Sequence, residues 1–382
     1  MTAALPDRDL LARLVAFDTT SHLSNRAIAA FIRNYADRPN VRIEEQASPC
    51  GEKLNLILST GPDAADRSGL TLSGHMDVVP ATESDWESDP FTLTERDGNL
   101  YARGSCDMKG FDALALNALV DASTRELAHP LAVAFTYDEE VGTIGARHLV
   151  EQWPRVRELP SACIVGEPTS LEVVRMHKGH TKVEVTIEGV SAHSAYPHLG
   201  RNAIEAAARI LVSLRGLRHR LEQEGGALAG HFPDAPYVTL NVGTIQGGSA
   251  VNVVPDRCTM QIGFRLLPRM SRDEVLQRVV IACRNAAGAD PYEVVATGES
   301  PPLFLDENAR IYIALTQLVG QNDTISASYA TDGGWLAQAG MDCAVWGPGS
   351  IEVAHKPNEF MPVSEYARGR ELLECAVREF CG

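Results

Sequence analysis

No stretch of this chain approaches the ~20 consecutive apolar residues that cross a bilayer, so no membrane-spanning helix is expected. A basic surplus is also missing: 34 Lys and Arg stand against 50 Asp and Glu, a formal net charge of −16. That balance repels polyanions, which argues against nucleic acid or an anionic membrane as partner and favours metal cations and cationic small molecules. No CxxC pair occurs among the eight cysteines, Cys50, Cys106, Cys163, Cys258, Cys283, Cys343, Cys375 and Cys381. Scattered through a chain this long they form no disulfide framework, and most are expected to be reduced packing residues. The opening segment MTAALPDRDLLARLVAF carries acids where a secretory leader would have a basic start and an apolar run, so a cytoplasmic location is expected. No internal repeat is evident. What is present is ordinary for a globular protein, 45% hydrophobic and 22% charged.

The chain's 382 residues allow two or three domains with a large buried core. Leu10, Leu11, Leu14 and Val15, then Ile28, Phe31, Ile32 and Tyr35, recur at helical spacing. Strand-like runs follow at 41–45, 54–58 and 70–73. Residues 108–120 read as a helix, 131–136 as a buried strand, 145–150 as a helix and 162–165 as another strand. Strands alternating with helices indicate an open α/β sheet. Near Gly179 the pattern changes. Strands at 183–187, 239–244 and 258–265 with helices at 202–217 and 275–286 suit an α+β sandwich with one open face, and 222–230 reads as a flexible loop. Strand and helix alternate again from 292, ending in a helix at 364–380. We therefore expect an α/β domain of residues 1–178 and 291–382 with an α+β domain, 179–290, inserted into it.

Five short constellations carry chemistry. Ser73-Gly74-His75-Met76-Asp77 ends an apolar strand, where residues two apart share a face. His75 and Asp77 then point the same way, and Asp77 can fix the imidazole tautomer that binds a metal; a core histidine bonded to its neighbour is the plainer alternative. In Arg103-Gly104-Ser105-Cys106-Asp107-Met108-Lys109-Gly110 a turn opens into a helix, where Asp107 could simply be a cap. Tyr137-Asp138-Glu139-Glu140-Val141-Gly142 sets three acids at a strand end, either solvated or neutralised by cations. Val165-Gly166-Glu167-Pro168-Thr169 puts an acid at another strand end. The run from Gly347 to Pro357 holds His355 in a Gly/Pro loop. Together these place two His and several carboxylates at strand ends of one sheet, where open α/β sheets bind ligands. Mixed imidazole and carboxylate donors suit zinc, with cobalt or manganese as substitutes.

The segments SGHMDVVP, YARGSCDMKG, the Asp-Glu-Glu-Val-Gly run, GEPT, GVSAHSAYPH and GPGSIEVAHKP, in this order along the whole chain, resemble the signatures of the M20 co-catalytic zinc amidohydrolases. The resemblance implies two Zn2+ ions, or Co2+ or Mn2+ in their place. His75 and Glu167 would complete one site, Glu140 and His355 the other, and Asp107 would bridge them. Asp77 would orient His75, and Glu139 would be the general base, moving a proton from water to the leaving amine. It further implies a cis peptide between Asp107 and Met108. In the inserted domain, His193 would reach into a partner subunit's site and stabilise the oxyanion. Asn252, Arg265 and Ser350 would contact substrate, Arg265 pairing with an α-carboxylate as a fork. The inserted domain would be a lid and dimerisation module, making a homodimer.

The GPGSIEVAHKP ending is most similar to the acetylornithine-cleaving members of the family. The expected reaction is therefore hydrolysis of a small N-acyl amino acid, N2-acetyl-L-ornithine, to ornithine and acetate in arginine biosynthesis. One departure is Thr331-Asp332, where those members usually carry Thr-Glu; Asp332 before two glycines is more like the desuccinylases and peptidases. The alternatives are thus another M20 amidohydrolase, such as a succinyl-diaminopimelate desuccinylase or a metallo-carboxypeptidase or dipeptidase, and a non-catalytic metal-binding protein.

Overall fold

The computed structural model describes residues 4–382; residues 1–3, at the head of the segment read for a leader, lie outside it. The chain divides into two compact units. The first comprises the chain up to Met176 together with Leu303–Ile325 and Thr331–Gly382, and the second His177–Pro302 with Ser326–Ala330.

In the first unit, four parallel strands stand side by side in the order Leu131–Thr136, Leu70–His75, Ala162–Val165 and Asp342–Val345. Leu54–Thr60 pairs antiparallel with Leu131–Thr136, and Val41–Ala47 antiparallel with Leu54–Thr60. Every residue of Leu70–His75 and Leu131–Thr136 is buried. Parallel strands covered on both faces read as continuous apolar runs, which is why the sequence marks them as runs and not as alternations. The helix Lys109–Ala122 is buried on nearly all sides, packed against Asp7–Val15 and Val363–Cys381. Leu114, Leu116, Leu119, Val133, Phe135 and Leu373 belong to the core this makes. A separate small sheet pairs Phe360–Pro362 with Asn99–Tyr101, and that strand with Thr94–Arg96.

The second unit is a four-stranded antiparallel sheet in the order Thr239–Gly247, Arg257–Leu266, Gly179–Glu188, Tyr292–Ser300. The helices Ala203–Glu224 and Arg272–Ala287 contribute to one core with Val183, Val185, Ile187, Met260, Ile262 and Phe264. Alternation along these strands sends one set of side chains to the helices and the other to the open face. Asn202 caps the first helix, its Oδ1 accepting from Ile204 N at 3.0 Å, and Ser271 Oγ accepts from Glu274 N at the start of the second.

Several boundaries differ from expectation: the second unit begins at His177 and takes in Ser326–Ala330, and two further differences have a clear physical reason. The strand Tyr292–Ser300 closes the edge of this second sheet by pairing with Gly179–Glu188, so the second unit runs to Pro302 and not to 290. A strand's sheet is chosen by its partner, which its own sequence does not name. The helix expected to stop at 217 continues to Glu224, taking in the first residues of the segment read as a loop, because Leu221 still reaches the core. All eight cysteines are free, and six of them are buried.

Candidate dinuclear metal centre

The carboxyl ends of the four parallel strands converge. His75 is the last residue of its strand, Glu139 and Glu140 follow Thr136, Glu167 follows Val165, and His355 lies on the loop after Val345. Asp107 enters from the turn before the helix Lys109–Ala122, and the Asp107–Met108 peptide bond is cis. Glu167 reaches the cluster because Gly166 has no side chain: a Cβ there would lie 1.9 Å from the Phe111 ring.

Two groups of donor atoms form, His75 with Asp107 and Glu167, and Asp107 with Glu140 and His355; within each, all donor atoms lie within 4.8 Å of one another. Asp107 belongs to both. Its Oδ1 is 3.1 Å from His75 Nε2, and its Oδ2 is 3.2 Å from His355 Nε2. His355 Nε2 is also 2.9 Å from Glu140 Oε2. His75 is buried, whereas the His355 side chain is 49% exposed, so one group is enclosed and the other opens to solvent.

The electrostatics are those of an acid cluster short of positive charge. Burial and the Glu167 carboxylate push Glu139 well up, and burial with Asp107 pushes Glu167 up in the same way. Burial and Asp107 raise Glu140 to about 7. Burial also works against ionised Asp107, but hydrogen bonds with His355 and His75 outweigh it and hold this carboxyl low. His355 is raised to about 10 by its bonds to Asp107 and Glu140. Burial opposes a charged His75, yet Asp107 and Asp77 raise it. Close, buried carboxylates that resist ionisation are what a site for cations looks like without them. Asp332, buried beside Glu139 and Glu167, keeps one oxygen without a hydrogen-bond partner and is raised by burial to about 6. Imidazole nitrogens and carboxylate oxygens in two three-donor groups with a common carboxylate fit a pair of divalent ions.

Asp77 departs from the sequence expectation: its backbone carbonyl, not its carboxylate, is hydrogen-bonded to the His75 ring. The Nδ1 of His75 is bonded to the Asp77 carbonyl oxygen at 2.9 Å, while the nearer carboxylate oxygen is 3.6 Å away. The carboxylate itself accepts from Glu139 N at 3.0 Å, Glu140 N at 3.3 Å and Ser21 Oγ at 2.7 Å. It thus holds the turn that carries the two glutamates. Sequence reasoning missed Lys53, whose Nζ meets Asp138 Oδ1 at 2.6 Å and removes the third acid of that run from the cluster. It also missed Thr136, which donates to Asp332 Oδ2 at 2.5 Å. A lysine at the head of a strand and a threonine at the end of one carry no local mark of these roles.

Ser350 bridges to Thr169 beside Glu167, and its Oγ accepts from Glu352 N at 3.2 Å. His193, Asn252 and Arg265 belong to the second unit. There His193 and Asn252 are exposed neighbours: Ser194 N donates to Asn252 O at 3.0 Å, and His193 bridges to Val253. Arg265 stands opposite His180 on the adjacent strand and donates to Ser328 O at 3.3 Å. His177 and His180 are held down to about 4, chiefly by burial, which suits structural side chains.

Paired cation sites flanked by an unliganded glutamate serve bond cleavage by water, and this chain is a metal-dependent hydrolase. It belongs to the peptidase family M20/M25/M40, whose family description matches residues 71–379. It is 37% identical to the acetylornithine deacetylase of Myxococcus xanthus over 397 aligned residues, covering 100% of both chains. Identity to the acetylornithine deacetylase of Proteus mirabilis is 35% over 370 residues, 96% of this chain and 93% of that one. An M20 family metallo-carboxypeptidase from Sulfolobus solfataricus shares the fold with a TM-score of 0.78 at 19% identity, covering 97% and 98% of the two chains.

Proposed function

We propose that the chain hydrolyses N2-acetyl-L-ornithine to L-ornithine and acetate, as a cytoplasmic step of arginine biosynthesis. The observation that carries the substrate is the full-length likeness, at 35–37% identity, to two acetylornithine deacetylases. Charge supports it: outside the second unit, 21 basic residues face 38 acidic ones, while within it 13 face 12. The surplus of acid lies in the unit that holds the cluster, which favours a cationic ornithine side chain.

His75, Asp107 and Glu167 would hold one ion and Asp107, Glu140 and His355 the other. Two Zn2+, Co2+ or Mn2+ ions bound there supply Lewis acidity toward an amide carbonyl and toward water. Glu139 is left free of ligand duty. Kept ionised by two neighbouring cations, its carboxylate would take a proton from the attacking water and return it to the amide nitrogen as the C–N bond breaks, so acetate and the free amine leave. Asp77 keeps Glu139 and Glu140 in separate roles by holding both backbone N–H groups. From the second unit, Arg265 would clamp the substrate carboxylate as a fork, Asn252 would contact substrate together with Ser350 of the first unit, and His193 of one protomer would steady the oxyanion in the other. A homodimer formed through the second unit follows from that last role.

Asp332 supports a second reading, a desuccinylase or a peptidase acting on substrates with a free carboxylate. A panel of acetylornithine, acetylmethionine, succinyl-diaminopimelate and dipeptides, assayed with zinc or cobalt, tests both. Acetylornithine should give the highest kcat/KM; preference for a succinyl substrate or a dipeptide overturns the first reading in favour of the second.

A further inference from the structure

A buried ion pair lies behind the two ligand-bearing loops, outside both donor groups. The register of the small sheet puts it there. Phe360 pairs with Tyr101, and Ala102 N donates to Glu359 O at 3.2 Å, so Glu359 lies against the turn that leads to Asp107. Its side chain is 1% exposed. Oε1 accepts two consecutive backbone N–H groups, Cys106 at 2.9 Å and Asp107 at 3.0 Å. Oε2 accepts from Arg103 Nη1 at 2.7 Å. Arg103 is fully buried; its Nη1 also reaches Lys356 O, next to His355, at 3.3 Å, and its Nη2 reaches Pro80 O at 3.2 Å. The guanidinium lies over the Trp86 ring, 5.1 Å from its centroid. His355 itself has φ +61°, a left-handed conformation that a non-glycine residue keeps only where its loop is held.

We propose that Arg103 and Glu359 are a positioning pair that sets the Asp107 turn and the His355 loop in one frame, and that the Asp107–Glu140–His355 ion site depends on them more than the His75–Asp107–Glu167 site does. The asymmetry follows from the contacts. The pair touches the backbone at or beside Asp107 and His355, two of the three donors of the open group. In the enclosed group it touches only Asp107, while His75 is held by its strand and the Asp77 carbonyl and Glu167 by its strand end. A buried ion pair is by itself weak evidence of stabilisation. Here its oxygen is the acceptor for two amides of a ligand-bearing turn, and loss of such a support costs metal sites about 10–100-fold in affinity.

The inference rests on the ligand assignment of the proposed function, and the experiment separates the two. Zn2+ affinity is measured on the metal-stripped full chain by competition with a chromophoric chelator, and Co2+ spectra follow each site. Arg103→Met with Glu359→Gln keeps an oxygen for the two amides but loses the contact to Lys356 O; one ion should bind as in wild type, and the other more weakly than in wild type but more tightly than in the leucine variant. Arg103→Met with Glu359→Leu removes the acceptor as well; one ion should bind as in wild type and the other about 10–100-fold more weakly. Adding His355→Ala to that variant should cost little more, because both changes strike one site. Arg103→Lys keeps charge but not the planar fork that reaches Lys356 O, and should weaken the same single ion; it serves if the leucine variant does not fold. Unchanged binding of both ions, equal loss of both, or a glutamine variant no better than the leucine variant overturns the positioning role. Failure of the wild-type chain to bind two ions, or of His355→Ala to release one, overturns the ligand assignment instead.

Discussion

In the proposed mechanism Glu139 and Glu140, neighbours in the chain, take different duties. Glu140 lies 2.9 Å from His355 in a donor group, while Glu139 stands in neither. Glu139→Gln should therefore retain both metal ions and lose about 10²–10⁴-fold in turnover, the usual contribution of a positioned proton shuttle. Glu140→Gln should lose metal first and activity as a consequence. Metal content and kcat measured on the same preparations distinguish them, and near-normal turnover in Glu139→Gln removes that residue from its role. Arg265 gives a second test. Its guanidinium has the Ser328 carbonyl as a hydrogen-bond acceptor, leaving donors free for a substrate carboxylate. Arg265→Lys should raise KM markedly with kcat much less changed, and amidated substrates should be cleaved poorly by the wild-type chain; equal cleavage of amides and free acids contradicts the clamp.

At the scale of elements, the site exists because four parallel strands end on one line. Three contribute at the strand end or within four residues of it, His355 comes from ten residues beyond Val345, and the shortest connection is tightly packed. Gly166 shows this best, since a Cβ would lie 1.9–2.3 Å from atoms of Phe111, a fully buried ring on the central helix. Gly166→Ala should cost about 1–3 kcal/mol through overpacking and lower metal affinity by displacing Glu167. Pairing it with Phe111→Leu should recover part of both, read as thermal midpoint and Zn2+ binding; recovery of stability without metal affinity shows that Glu167 is placed by something else. The Asp77 carboxylate ties three elements together, bonding the turn after one strand and Ser21 of the segment following the first helix.

For the whole molecule, the charge of the cluster sets how stability should respond to pH. In the metal-free chain, His75 is raised and His355 is raised to about 10, so each holds a proton in the folded state above the ~6.5 at which an unfolded histidine loses it. Glu139 and Glu167 are raised and Glu140 is raised to about 7, so they too bind more protons folded than unfolded. Stability must then fall as pH rises from 6.5 to 8. His177 and His180, held down to about 4, oppose this only below 6.5, and Lys109, brought down to about 8 by burial, only above that window. The thermal midpoint of metal-stripped protein should drop across this range, and saturating zinc should raise it most at the upper end, because ions displace the same protons. A midpoint that rises with pH without metal overturns the reading of the cluster. Subunit exchange is the other test at this scale. If His193 acts across a dimer, co-expressed Glu139→Ala and His193→Ala chains should regain roughly a quarter of wild-type activity, from one good site in each mixed dimer. A mixture that stays inactive means that His193 serves its own chain.

Much was determined by the sequence alone. Buried parallel strands need unbroken apolar runs, so 131–136 and 162–165 were legible residue for residue, and polar residues at the ends of such runs marked His75, Glu139, Glu140 and Glu167. The two helices and open face of the second unit showed in the same way, through spacing. Spacing did not say which of those residues meet; only the resemblance to a family grouped them, and the tertiary structure is what brings them together. It brought His75, Asp107 and His355 together across 280 positions of chain, gave Asp138 to Lys53, turned the Asp77 carboxylate toward the glutamate turn, and joined Tyr292–Ser300 to the second sheet. Glu359 and Arg103 were hidden for the same reason. Periodicity records which face of its own element a residue occupies, but the partner on that face is set by the pairing and packing of distant segments, which leaves no trace in local spacing.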